Sequence, residues 1–169
     1  VITGGPSVGE KFSSLKLDHL LFIGSNRVAK KVAAQAAKNL VPTTLELGGK
    51  SPTIIGTNAN MALAAERILF SKKLNAGQIC LSPDYIFVKK DEKRNLISEL
   101  QKAYSKFFPE PNSHNQTSMV NKHHLKRMNS YLLDATKKGA KVESLGKNDD
   151  LNRNMLSTKI VTEVNDGMD

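Results

Sequence analysis

At 169 residues, 39% of them hydrophobic, the chain is long enough for one domain with a real core, and its apolar residues recur in periodic blocks that exclude disorder. A single Cys excludes an internal disulfide and a Cys-rich zinc site and fits a reducing, cytoplasmic setting, and no stretch approaches a membrane span. The formal charge of +9 concentrates between Lys89 and Lys141, where twelve Lys/Arg face five Asp/Glu; with 5% aromatics, no Trp and no nucleic-acid motif, it reads as solvated helix faces and not as a nucleic-acid surface.

Val1-Ile2-Thr3-Gly4-Gly5 reads as a strand running into a turn. It lacks the basic start and long apolar run of a signal peptide. With no initiator Met, and with an abrupt end at Val164-Asn165-Asp166-Gly167-Met168-Asp169, the chain reads as an internal piece of something longer. His19 to Ile23 is a strand candidate ending at Gly24-Ser25, where Ser25 or Asn26 is placed to cap a helix from Arg27 to Asn39. Thr43 to Leu47 is the next strand. Residues 1–47 thus read strand, helix, strand, helix, strand, half of a doubly wound nucleotide-binding sheet. After Gly48-Gly49 the pattern restarts with a strand at Pro52–Ile55 and a helix from Met61 to Leu74, capped by Asn60 and broken at Gly77. A strand follows at Asp84–Val88, then a helix capped by Asp91, with Leu96, Ile97, Leu100, Ala103, Tyr104 and Phe107 on one side. Residues 109–118 are Pro/Asn/Ser-rich and read as a loop. A helix from Lys122 to Lys138 ends at Gly139, and strands at Lys141–Leu145 and Thr158–Val164 complete an α/β pattern.

Few residues carry chemistry on their own. Cys80 follows a helix and a Gly-Gln turn, where freed backbone amides favour a thiolate and a developing oxyanion; the competing reading is a small buried hydrophobe. Glu46 ends an apolar strand, so it is either paired with Lys50 or functional. Gly24 to Ala29 lies between strand and helix, where amides favour phosphate, although Gly-x-Gly-x-x-Gly is absent. His123-His124 lacks metal-ligand spacing, and no metal is expected.

Together these segments resemble the aldehyde dehydrogenase superfamily. Leu45-Glu46-Leu47-Gly48-Gly49-Lys50-Ser51-Pro52 and Asn75-Ala76-Gly77-Gln78-Ile79-Cys80 carry the resemblance. Thr3-Gly4-Gly5, the strand Leu20 to Ser25 and Pro83-Asp84-Tyr85 agree with it. Pro83-Asp84-Tyr85, the Lys122–Gly139 helix and the Asn165-Asp166-Gly167-Met168 ending point to the coniferyl-aldehyde and fatty-aldehyde branch. The resemblance implies the second half of a Rossmann-type cofactor domain over 1–47, then part of a catalytic α/β domain over 48–169. It also implies NAD(P)-dependent oxidation of a small aldehyde, with NAD favoured over NADP, by a homodimer or higher homo-oligomer. Cys80 would be the nucleophile and Glu46 the base that hydrolyses its thioester. Gly24, Ser25, Val28 and Ala29 would face the cofactor phosphates, and Leu47 the nicotinamide. The family's oxyanion Asn and ribose-holding Glu fall outside this chain. Ile23 and Ile79 stand where Thr is usual, and Ala29 where Gly is. The alternative is a non-catalytic fragment or paralogue with a structural or interaction role.

Overall fold

A computed structural model describes residues 1–109, 116–147 and 149–169. Most of the loop expected at 109–118 lies outside the described residues. Two compact units divide the chain, Val1–Gly49 and Lys50–Asp169.

In the first unit, Gly5 leads into α1 (Pro6–Ser13), where proline at the first helical position loses no hydrogen bond. Strand β1 (Leu20–Gly24) runs parallel to β2 (Thr43–Leu47), and α2 (Asn26–Ala37) makes the crossover. The helix begins where Ser25, in extended backbone, accepts the Val28 N–H on its hydroxyl. Ala29, Val32 and Ala36 recur at helical spacing and are buried. Val32 and Ala36 close a small core with Leu20 and Val41, flanked by Leu17 and Phe22. The strand expected at Val1–Gly5 does not form. All five residues are exposed, and the Gly5 carbonyl accepts from Val8 and Gly9 to open α1. A strand needs a ladder partner for its amides, and among the described residues this segment has none.

The second unit repeats the strand–helix–strand plan. β3 (Ser51–Ile54) pairs in parallel with β4 (Pro83–Phe87), with a register shift between Ser51 and Pro52. Between them runs α3 (Met61–Lys73), whose Asn60 cap accepts the Leu63 N–H at 3.0 Å. Helix α4 (Lys93–Phe107) packs on α3, and the core joins Ala65 and Leu69 to Leu96, Leu100, Ala103, Tyr104, Ile55 and Leu145. Asp91 is not the cap of α4. It lies inside a single 3-10 turn, Lys90–Glu92, which leads the chain into the helix, and Glu92 takes the half-in position without a side-chain bond. Phe107 is exposed; Phe108 packs instead, its ring 5.1 Å from that of Tyr104.

Helix α5 (Lys122–Lys137) is capped by Asn121, buries Leu125 and Ala135, and stops before Gly139 as expected. β5 (Lys141–Ser144) and β6 (Lys159–Thr162) then pair antiparallel. Asp149 ties their connection together, accepting from the Ser157 amide at 2.7 Å and pairing with the Lys159 ammonium at 2.9 Å. Burial works to raise its pKa, but hydrogen bonds from Lys159 and Ser157 hold the carboxyl below the usual range. Among the described residues no helix is long and apolar enough to cross a membrane, and no group of His, Cys, Asp and Glu is arranged to hold a metal ion.

Candidate active site

The first unit gathers one set of candidates at a single edge. The β1–β2 register sets Ile23 level with Glu46 and Gly24 level with Leu47. Both strands therefore end together, and the Glu46 carboxylate stands at the same carboxyl-terminal edge as the Gly24-Ser25 turn and the start of α2. In open parallel sheets this edge, beside a helix N-terminus, is where ligands bind. Gly24, Ser25 and Glu46 are exposed, Val28 is 39% exposed and Leu47 is partly buried. Ala29 differs from these: the residue is 2% exposed, and its N–H donates to the Ser25 carbonyl at 2.9 Å.

Gly24 is required by packing as well as by position. A Cβ there would stand 2.6 Å from Cζ of Phe22, two residues back on the same strand face. The Phe22 ring rests against the small core and must yield to admit a methyl. Gly24→Ala is therefore expected to destabilise the protein by about 1–3 kcal/mol, the usual cost of overpacking. Urea unfolding measures it; an unchanged midpoint would show that Phe22 swings aside freely.

Lys50, the sequence's candidate partner for Glu46, is engaged elsewhere. Its ammonium sits 3.0 Å from Asp84 at the start of β4, and Lys72 approaches the same carboxylate at 3.8 Å. Within its own unit Glu46 makes no ion pair among the described residues.

In the second unit the chain reverses sharply before Cys80. The helix ends at Lys73, earlier than the break expected at Gly77. Asn75, Ala76 and Gly77 follow in left-handed backbone, with φ of 49°, 55° and 75°. Glycine adopts this conformation freely, whereas Ala76 pays about 1–2 kcal/mol for it. Such strain persists only where neighbouring contacts hold it. The reversal carries Cys80 to the surface with its thiol exposed. Among the described residues the amides of Ile79, Cys80 and Leu81 donate to no carbonyl, and they are available to an oxyanion or thiolate.

Two features of this turn had no place in the sequence reading. Gln78 spends its whole side-chain amide on the turn and on residues 118–120. Lys73, at the end of α3, lies 4.9 Å over the Phe108 ring and donates to Gln116 at 3.3 Å; burial pushes its pKa down. A Gln placed directly after a left-handed Gly was the available signal for the first. Nothing in the sequence pointed to the second.

The model of the aldehyde dehydrogenase family matches residues 1–169. The chain belongs to the aldehyde dehydrogenase family. It is 48% identical over 143 residues, 84% of its length, to a "Probable coniferyl aldehyde dehydrogenase" of Caulobacter vibrioides, covering 30% of that protein. It is 42% identical over 142 residues to the coniferyl aldehyde dehydrogenase of a Pseudomonas species, covering 83% of this chain and again 30% of the relative. Among solved structures, substrate-bound Staphylococcus aureus AldH superposes with a TM-score of 0.87 at 36% identity, over 97% of this chain and 35% of that one. The NAD+ complex of Staphylococcus aureus betaine aldehyde dehydrogenase superposes with a TM-score of 0.85 at 27% identity, over 99% and 35%. The chain thus carries an α/β portion of the aldehyde dehydrogenase fold and spans about a third of these relatives.

Proposed function

We propose that, in a protein of its relatives' length, this chain supplies the nucleophile, the hydrolytic base and part of the cofactor site for NAD(P)-dependent oxidation of an aldehyde to a carboxylic acid. The observation that carries the reading is the shared edge in the first unit, where Gly24-Ser25 and Glu46-Leu47 end level beside an exposed helix N-terminus. That edge fits a dinucleotide. Ser25 already caps α2, the first turn holds no acidic residue, and Gly24 has no side chain to obstruct a phosphate. Val28 extends this surface with Ala29 buried beneath it, and Leu47 offers an apolar contact to the nicotinamide. NAD is favoured over NADP, since NAD+ occupies the similar betaine aldehyde dehydrogenase structure. Bound at this edge, the cofactor would supply the hydride acceptor.

The Cys80 thiolate attacks the aldehyde carbon, forming a C–S bond while the carbonyl electrons move to oxygen. The Cys80 amide steadies that oxyanion. As the oxygen re-forms its double bond, the C–H pair leaves as hydride and a thioester remains on Cys80. Glu46 then takes a proton from water, the hydroxide adds to the thioester, and the acid departs with return of the thiolate. Coniferyl-type aromatic aldehydes are the first substrates to test, since two of the relatives are named for them.

The test compares two proteins with NAD and an aldehyde. A protein of the relatives' length is expected to generate NADH steadily. The 169-residue chain alone, spanning about a third of the matched structures, is expected to generate none. Loss of a single oxyanion donor already costs about 10²–10³ in rate. Silence from the longer protein, or steady NADH from the chain alone, counts against the reading.

A further inference from the structure

We infer that Gln78 is a positioning residue for the nucleophile: its side-chain amide clamps the left-handed turn before Cys80 to the segment at residues 118–120. The inference rests on the reading of Cys80 as nucleophile and adds to it the device that holds the thiol and its flanking amides in place.

Every hydrogen-bonding group of the Gln78 side chain that can be counted is in use. Its Nε2 donates to the Asn75 carbonyl at 3.0 Å and to the Ser118 carbonyl at 3.2 Å. Its Oε1 accepts the Val120 N–H at 2.9 Å. The side chain therefore bonds to Ser118 and Val120 as a neighbouring strand would, with one donor and one acceptor facing a short stretch of backbone. Its own backbone completes the closure. The Gln78 N–H also donates to Asn75 at 3.0 Å, and the Asn75 side-chain amide returns a bond to the Gln78 carbonyl at 3.3 Å. The turn so fixed is the strained one, with Ala76 at φ 55°.

The far side of the clamp is itself anchored. The Met119 N–H donates to Asn154 at 2.9 Å, and Gln116 accepts from Lys73 at the end of α3. Residues 116–120 are thus held at Gln116, Ser118, Met119 and Val120. Gln78 transmits that anchorage to Ile79 and Cys80, whose amides are otherwise unengaged. Without it, the left-handed stretch relaxes and the thiol loses its fixed relation to those amides. The effect falls on the thiol's reactivity and on the acylation step more than on substrate capture.

The experiment uses a protein of the relatives' length, in wild-type, Gln78→Ala, Gln78→Glu and Cys80→Ser forms. Iodoacetamide alkylation of Cys80 is followed by peptide mass mapping across pH, alongside the pre-steady-state NADH burst. Gln78→Ala is expected to slow both alkylation near neutral pH and the burst by on the order of ten- to a hundredfold, the scale of an ångström-level misplacement, with KM for the aldehyde changed far less. Gln78→Glu keeps the length and the acceptor for Val120 but turns a carboxylate toward two carbonyls. Its alkylation should be slow when Glu is ionised and recover in part at a pH that protonates it, measured against wild type at the same pH. If Gln78→Ala does not fold, the Glu variant's pH-dependent recovery decides alone. A folded Gln78 variant with wild-type alkylation and burst at every pH overturns the clamp. Turnover by Cys80→Ser would instead overturn the nucleophile assignment, whatever Gln78 does.

Discussion

Cys80→Ser, in a protein of the relatives' length, is expected to lose aldehyde oxidation by a factor on the order of 10⁴ or more, as when a catalytic nucleophile is removed elsewhere. The substitution changes one atom. Thiols are strong nucleophiles near neutral pH, and the unengaged amides beside Cys80 can hold the oxyanion that its attack creates. A serine hydroxyl offers almost no alkoxide there, and no side-chain base is bonded to this position among the described residues. Because Cys80 is exposed and its side chain takes no part in a core cluster, the fold should be indifferent to the change. NAD(P) affinity should also hold, since Gly24 and Ser25 belong to the first unit and do not involve the sulfur. The measurements are steady-state NADH formation and a cofactor titration on the same preparation. Turnover near wild type would remove Cys80 from the mechanism. A dead variant that has also lost cofactor binding or its melting transition would show that the sulfur serves the structure.

What the sequence revealed follows the range of each interaction. Ser25 and Asn60 were readable as helix caps because a cap reaches only three residues ahead, to Val28 and Leu63. The strands at Leu20–Gly24 and Thr43–Leu47 were readable from their apolar runs. Val1–Gly5 failed on the same criterion: strand-like composition supplies no partner for the ladder. Asp91 failed more narrowly, because a 3-10 turn moved it out of capping position. At the candidate site, the Glu46 and Cys80 motifs were visible as motifs. The rest depends on separations that no local pattern encodes. Lys50 meets Asp84 because the β3–β4 ladder sets Ser51 level with Pro83. Gln78 meets residues 40 and 42 positions later. Both contacts depend on how distant segments align, which hydrophobic periodicity leaves open.

Glu46→Gln should separate the two halves of the reaction. The amide keeps the size of the carboxylate and its place at the end of β2, so the β1–β2 register and the Gly24 edge should survive. Acylation and hydride transfer need only the Cys80 thiolate, the aldehyde and the oxidised cofactor. The variant is therefore expected to release about one NAD(P)H per active site in a burst. Water must then attack the thioester, and a glutamine cannot take its proton. Steady turnover should fall by about 10²–10⁴, the usual contribution of a general base, and the acylated Cys80 peptide should accumulate with the mass of the acid less water. Hydroxylamine, a nucleophile that needs little help from a base, should cleave that thioester and restore turnover. If Glu46 also deprotonates Cys80, the burst slows as well, and raising the pH should recover the burst but not the hydrolysis. The assignment fails if the variant turns over at the wild-type rate, or if turnover drops with neither a burst nor acyl-enzyme at any pH. Lys50 supplies the control. Its ammonium is held by Asp84, so Lys50→Met should leave the hydrolytic step intact, whereas a Lys50 paired with Glu46 would make the two substitutions behave alike.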